Sequence, residues 1–226
     1  MTLKEFVARF TEIKNKGFVP SMRKGPTGIG YTLETLLGIN ENNDAHPDIE
    51  GAELKAHRTK GNNLITLFTF NNKAWKMPPL DAVKKYGSLD REGRLGLYYT
   101  MSLAPNSAGL FLDVGKTEIS VRHISGEIIA TWQLKDLAAR FTQKIPALLF
   151  VSTFTEERDE VEYFHYYRAQ LLSGTSPELL ANQFREENIV VDLRLHDKGT
   201  MARNHGTGFR TLENKLPHLF QNIRDL

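Results

Sequence analysis

The stretch HPDIEGAELKAH, residues 46–57, decides how the rest of the chain is read. From Ala52 onward small or apolar residues alternate with polar ones, the period-two pattern of a strand. Side chains two apart share a face, so Glu53, Lys55 and His57 line one side while Ala52, Leu54 and Ala56 pack on the other. Asp48 stands just upstream, after Pro47. Glu-x-Lys occurs twice more, at Glu12/Lys14 and Glu213/Lys215, both in helical patterns where residues two apart do not face each other. Only Glu53/Lys55 lies on a strand. By itself this is either a polar strand face with a local ion pair or a site.

The chain has 226 residues, 40% of them hydrophobic, enough for one good core. The expectation is a single domain, possibly of two lobes divided near residue 140. Net charge is only +2, while a pI near 8.7 leans towards an anionic partner. Cysteine is absent, which excludes disulfides and thiolate zinc sites and fits the cytoplasm. Thr2 and Glu5 have the spacing of a capping box, and Leu3, Phe6, Val7, Phe10 and Ile13 recur at helical spacing, so the N-terminal segment reads as structure and not as a signal peptide. No run of eighteen apolar residues exists, so no membrane span is expected.

After a loop ending in KGPTGIG (24–30), a second helix is expected, with Thr27 as N-cap and Ile29, Leu33, Leu36 and Leu37 as its buried stripe. Glu34 falls near the edge of that stripe. Residues 62–70 read as a strand and 79–86 as a short helix with Pro79 near its start. RLGLYYTMSL, GLFLDV, TEISVRH and IIATWQL, between 94 and 134, read as successive antiparallel strands. Helix 134–141, long strands at 147–154 and 161–172, a helix opened by Ser176-Pro177-Glu178, and strands at 190–195 and 206–212 follow. A short helical pattern broken by Pro217 closes the chain. The whole predicts an α/β (α+β) domain, a mixed sheet flanked by helices with additional antiparallel strands, the quoted strand central.

Several familiar chemistries fail on spacing. GLFLDVGKT (109–117) has one residue too many for a phosphate loop and is flanked by strands, where the motif needs a helix; it reads as a hairpin. The seven histidines show no zinc spacing, and there is no G-x-S-x-G elbow. The aromatic cluster Tyr163, Phe164, Tyr166 and Tyr167 is explained by a strand with one buried and one solvated face. Two segments near the C-terminus say more. In VDLRLHD (191–197), Asp192, Arg194 and His196 share a strand face, and in RNHGTGFR (203–210), Arg203, His205 and Arg210 surround glycines that permit close approach. Arg, Asp and His are suited to reading base edges, and equally to a solvated, salt-bridged strand. KAHRTK (55–60), with His57, Arg58 and Lys60, extends the quoted strand into a basic stretch suited to phosphates.

Together these segments resemble the MvaI/BcnI-type type II restriction endonucleases, a branch of the PD-(D/E)xK nucleases related to the mismatch-repair nicking enzyme MutH. The resemblance is carried by KGPTGIGYTLETLLG (24–38), by PDIEGAELKAH (47–57) running on to NLITLFTF, and by VDLRL with NHGTGFR. It implies a PD-(D/E)xK restriction-endonuclease-like core with Asp48, Glu53 and Lys55 as its centre and Glu34 as the assisting helix acid. Mg2+ would be held by Asp48, Glu53 and the Leu54 carbonyl, oxygen donors that suit a hard cation. His57, Arg58 and Lys60 would touch DNA. Asp192, Arg194 and Arg210 match positions implied to read the outer C·G pairs of a CC-N-GG-like site, with His205 beside them. Some relatives have a His-Asp pair where this chain has Arg203-Asn204, which leaves the central base pair open. The implied enzyme cuts double-stranded DNA as a monomer, nicking each strand in turn, beside a cognate methyltransferase that it need not contact. Its rivals are a MutH-like nickase dependent on repair proteins and a catalytically silent DNA-binding module.

Overall fold

The structure, a computed structural model, describes residues 1–39, 49–59, 63–69 and 73–226. In chain order the elements are α1 (Leu3–Asn15), β1 (Val19–Pro20), α2 (Gly28–Leu37), β2 (Glu53–Arg58), β3 (Leu64–Thr69), α3 (Pro79–Tyr86) and β4 (Ser88–Leu89). Next come β5 (Leu95–Met101), β6 (Leu110–Val114), β7 (Glu118–His123), β8 (Ile128–Gln133), α4 (Leu134–Lys144), β9 (Ala147–Arg158) and β10 (Val161–Ser173). The last are α5 (Pro177–Arg185), β11 (Ile189–Asp197), β12 (Ala202–Asn204), β13 (Gly208–Leu212), a 3-10 helix (Glu213–Leu219) and β14 (Asn222–Asp225). The mixed α+β class holds.

Two compact units emerge, each assembled from separate stretches: 1–63, 145–174 and 220–226 in one, 64–144 and 175–219 in the other. Neither follows a cut of the sequence near residue 140, because the β9–β10 hairpin packs with the N-terminal helices.

The first unit is a five-stranded sheet in the order β1-β10-β9-β2, with β14 also paired to β10. β2 runs parallel to β9, and the other pairs are antiparallel. Phe6, Phe10 and Ile13 of α1 and Ile29, Leu33 and Leu37 of α2 meet Leu149, Val151, Phe164 and Tyr166 in one buried cluster. Helical spacing on one side and strand alternation on the other bring these residues together. The Thr2/Glu5 capping box is present. Thr27, expected to cap α2, makes no side-chain capping bond; at the other end Gly38 takes the left-handed conformation and Arg9 Nη1 donates to the Leu37 carbonyl. β2, expected to be central, ends the sheet path among the described residues. Alternation specifies which face a side chain takes, and carries no information on strand order.

In the second unit, a six-stranded antiparallel sheet runs β3-β13-β11-β5-β4, with β12 also on β11. Phe209 is its hub, stacked on Phe68 at 5.0 Å and edge-on to Trp132 at 5.5 Å. β6, β7 and β8 form a three-stranded antiparallel sheet. The expected antiparallel block therefore divides, β5 leaving it to pair with β11 across some ninety positions. GLFLDVGKT lies on the β6–β7 hairpin, whose turn is closed by Gly115 N–H donating to the Glu118 carbonyl at 2.9 Å.

Candidate active site

A tight turn launches the quoted strand. Ala52 N–H donates to the Ile49 carbonyl at 2.8 Å, Gly51 between them takes φ +83°, and both Ile49 and Ala52 are buried in the cluster under α1 and α2. With Ala52 fixed inward, the pleat sends Leu54 and Ala56 to the same core and turns Glu53 and Lys55 to the opposite face. Glu53 is exposed and Lys55 half-buried, lying opposite Leu148 and Phe150 of β9 in the parallel ladder. α2 packs on β2 and carries a half-buried Glu34. Glu34 Oε1 lies 3.7 Å from where a Cβ on Gly30 would stand, so the carboxylate reaches back one turn along its own helix. Asp48 and Lys60 lie outside the described residues.

The two basic neighbours on β2 are placed otherwise than expected. His57 does lie on the Lys55 side, but it is 4% exposed and its ring stacks on Phe150 at 5.2 Å, packing where a solvent-facing phosphate contact was expected. Arg58 donates from Nε and Nη2 to both carboxylate oxygens of Glu162, at 2.8 and 2.9 Å, and from Nη1 to the Pro26 carbonyl at 3.1 Å. Sequence reading missed Glu162, which stands 104 positions away on β10.

For a metal, the described part of this site offers oxygen only: the Glu53 carboxylate and the Leu54 carbonyl, with Glu34 on the neighbouring helix. That chemistry fits a hard divalent cation. No group of three or more His, Asp or Glu side chains gathers among the described residues, and Asp48, the other expected ligand, lies outside them.

The second unit gathers the other expected residues on one sheet face. Asp192, 3% exposed, accepts from Arg194 Nε at 2.7 Å and from Thr100 Oγ1 at 3.2 Å. Arg210 Nε comes within 3.0 Å of the same carboxylate, yet its N–H is aimed elsewhere and finds no hydrogen-bond partner. So the Asp192 carboxylate, expected to face a cytosine, is turned towards its own arginines. His196, next on that face, shares its Nδ1 with His205 Nε2 at 2.7 Å and with the Tyr98 hydroxyl at 3.3 Å. Burial first, then Lys198, His205 and Arg203, hold His196 below the usual histidine value. Arg203 pairs with His196 across β12 and β11. Tyr98 and Thr100 stand opposite Arg194 and Asp192 on β5, and sequence reading missed them. Their alternation in GLYYT was the available signal, but nothing local marks β5 as the neighbour of β11.

A profile of the MvaI/BcnI restriction endonuclease family matches residues 7–220, nearly the whole chain. The chain belongs to the MvaI/BcnI restriction endonuclease family. Membership makes it a sequence-specific restriction endonuclease, a nuclease acting on DNA. Among solved structures, restriction endonuclease MvaI in complex with its cognate DNA substrate is similar at 24% identity and a TM-score of 0.65, covering 100% of this chain and 99% of that one. MvaI in the absence of DNA matches at 22% identity and the same TM-score, covering 99% and 96%. At such identities the likeness speaks to fold, and the family fold is the one seen here. A comparison with curated proteins finds no match. No helix among the described residues is long and apolar enough to cross a membrane.

Proposed function

We propose that this family member is a Mg2+-dependent type II enzyme that hydrolyses double-stranded DNA as a monomer, nicking each strand in turn at a short CC-N-GG-like site. The observation that carries the reading is the pleat of β2, which sets Glu53 and Lys55 on the face away from the helical core, on a strand packed against the Glu34 helix. In this reading the unit holding residues 1–63 is catalytic and the unit holding 175–219 reads bases.

Phosphodiester hydrolysis needs a water made nucleophilic, charge stabilised on the phosphoryl oxygens, and a 3′ oxygen able to leave. Asp48, Glu53 and the Leu54 carbonyl would hold Mg2+, which when bound supplies Lewis-acid stabilisation of that charge. Lys55 orients the attacking water and, as the free amine, accepts its proton; the ammonium so formed offsets the developing negative charge, and the departing 3′ oxygen takes up a proton from solvent. Glu34 accepts a hydrogen bond from the same water and so aims it. On the other unit, the exposed end of Arg194 and the outer nitrogens of Arg210 are donors for guanine O6 and N7, while Asp192 lies against the Nε of both arginines. A nuclease of this kind implies a methyltransferase of matching specificity in the same cell, with no contact required, and the cysteine-free composition fits the cytoplasm.

The test is to incubate the purified protein with unmethylated phage DNA and Mg2+ and to sequence the fragment ends. Discrete ends sharing one short motif are expected. Cleavage seen only after addition of mismatch-repair proteins would point to a MutH-like nickase, and intact DNA in every condition to a silent binding module.

A further inference from the structure

Arg58 ends the strand that carries Lys55, three positions further on. Three of its N–H groups are engaged within the chain, two on the Glu162 carboxylate and one on the Pro26 carbonyl. The Arg58 and Glu162 side chains are 21% and 33% exposed, so this two-pronged pair is partly shielded from water. Glu162 grips the same loop with its main chain, its carbonyl accepting from Ser21 N–H at 2.7 Å. Farther along β10, the buried Tyr166 hydroxyl donates to the Ile29 carbonyl in the first turn of α2 at 2.8 Å. The Arg58 and Tyr166 bonds reach carbonyls, so they do not replace the side-chain cap that Thr27 does not provide; they tie the start of α2 to its neighbours. The start of α2 is thus held by β2 and β10 together.

We propose that Arg58 is a positioning residue of the nuclease site: with Glu162 it locks the loop at Pro26, and thereby the helix that carries Glu34, against the strand that carries Lys55. The proposal rests on the nuclease reading above. Its leverage is geometric. Glu34 lies six residues beyond Gly28, the first residue of α2, which is about 9 Å along the axis at 1.5 Å per residue. A tilt of about 6° at the clamp therefore moves Glu34 by roughly 1 Å, and misplacement on that scale can slow a reaction about 10²-fold.

Wild type, Arg58→Gln, Glu162→Gln and the double variant are compared in three measurements: single-turnover cleavage with Mg2+, duplex affinity with Ca2+ over a range of salt, and amide exchange across Ile29–Thr32. Each single variant is expected to cleave roughly 10- to 100-fold more slowly, with the double variant no worse than the slower single because the two residues act as one unit. Affinity and its salt slope should match wild type, and the first turn of α2 should exchange faster. A salt slope lower by about one unit in Arg58→Gln alone would show a phosphate contact and overturn the proposal. Cleavage at the wild-type rate in both singles would overturn it as well. Should Arg58→Gln not fold, Glu162→Gln decides, since it keeps its shape and leaves the arginine charged. Intact DNA with the wild-type protein would overturn the nuclease reading instead, and amide exchange would still show whether the clamp holds the helix.

Discussion

The Asp192 carboxylate lies 2.7 Å from the Nε of Arg194, and while the aspartate side chain is 4% exposed, the arginine side chain is 43% exposed. A buried anion thus holds one edge of a guanidinium whose other edge remains available. Base reading would use that other edge, and it would use Arg210 beside it. Arg194→Ala and Arg210→Ala are expected to lose about 1–3 kcal/mol on cognate DNA, roughly 5- to 150-fold in affinity, with far smaller losses on random DNA. Asp192→Asn should lower cognate affinity at least as much as Arg194→Ala. Arg203→Ala should relax preference at one base pair. Competition binding at fixed salt with Ca2+, against cognate and singly substituted duplexes, checks all four. Equal losses on cognate and random DNA would show that the arginines hold phosphates.

His57 packs against Phe150, so its removal should register in stability before it registers in DNA binding. His57→Ala is expected to cost roughly 1–3 kcal/mol, the range for opening a gap beside a buried ring. Urea unfolding measures the cost, and the salt slope of binding should stay at the wild-type value. A lowered slope with unchanged stability would return His57 to the DNA surface.

His196 makes the second unit sensitive to acid. Its folded pKa is depressed, by burial first and by Lys198 next, so the native state binds fewer protons than the unfolded chain below the ordinary histidine value of about 6.5. The corresponding stability is full above that value and is lost as pH falls through the depressed one. Thermal unfolding between about pH 7.5 and 5.5 should show wild type losing more stability than His196→Gln. Parallel pH profiles for the two proteins would remove His196 from the account.

Local sequence pattern carried the faces of strands well. Ala52, Leu54 and Ala56 entered the helical core as their alternation requires, and Asp192, Arg194 and His196 came out on one face. It did not carry partners. The parallel pairing of Lys55 with Phe150, the burial of His57 that follows from it, and the capture of Arg58 by Glu162 all depend on β9 and β10, which return from about a hundred positions away. A strand's own residues fix its faces but do not name its neighbour. For the same reason, Thr100 could not be seen as a donor to Asp192, although both sat in strands that were read correctly.

The role proposed for the face of β2 bearing Lys55 is DNA hydrolysis. Its most direct test is the single-turnover cleavage rate of Lys55→Ala with Mg2+, measured beside its affinity for the same duplex with Ca2+. The expected rate is roughly 10²-fold or more below wild type, the scale of losing a positioned acid–base or charge-stabilising group, with affinity retained. Cleavage by Lys55→Ala within a few-fold of wild type would contradict it, and would place the hydrolytic site on residues other than those of β2.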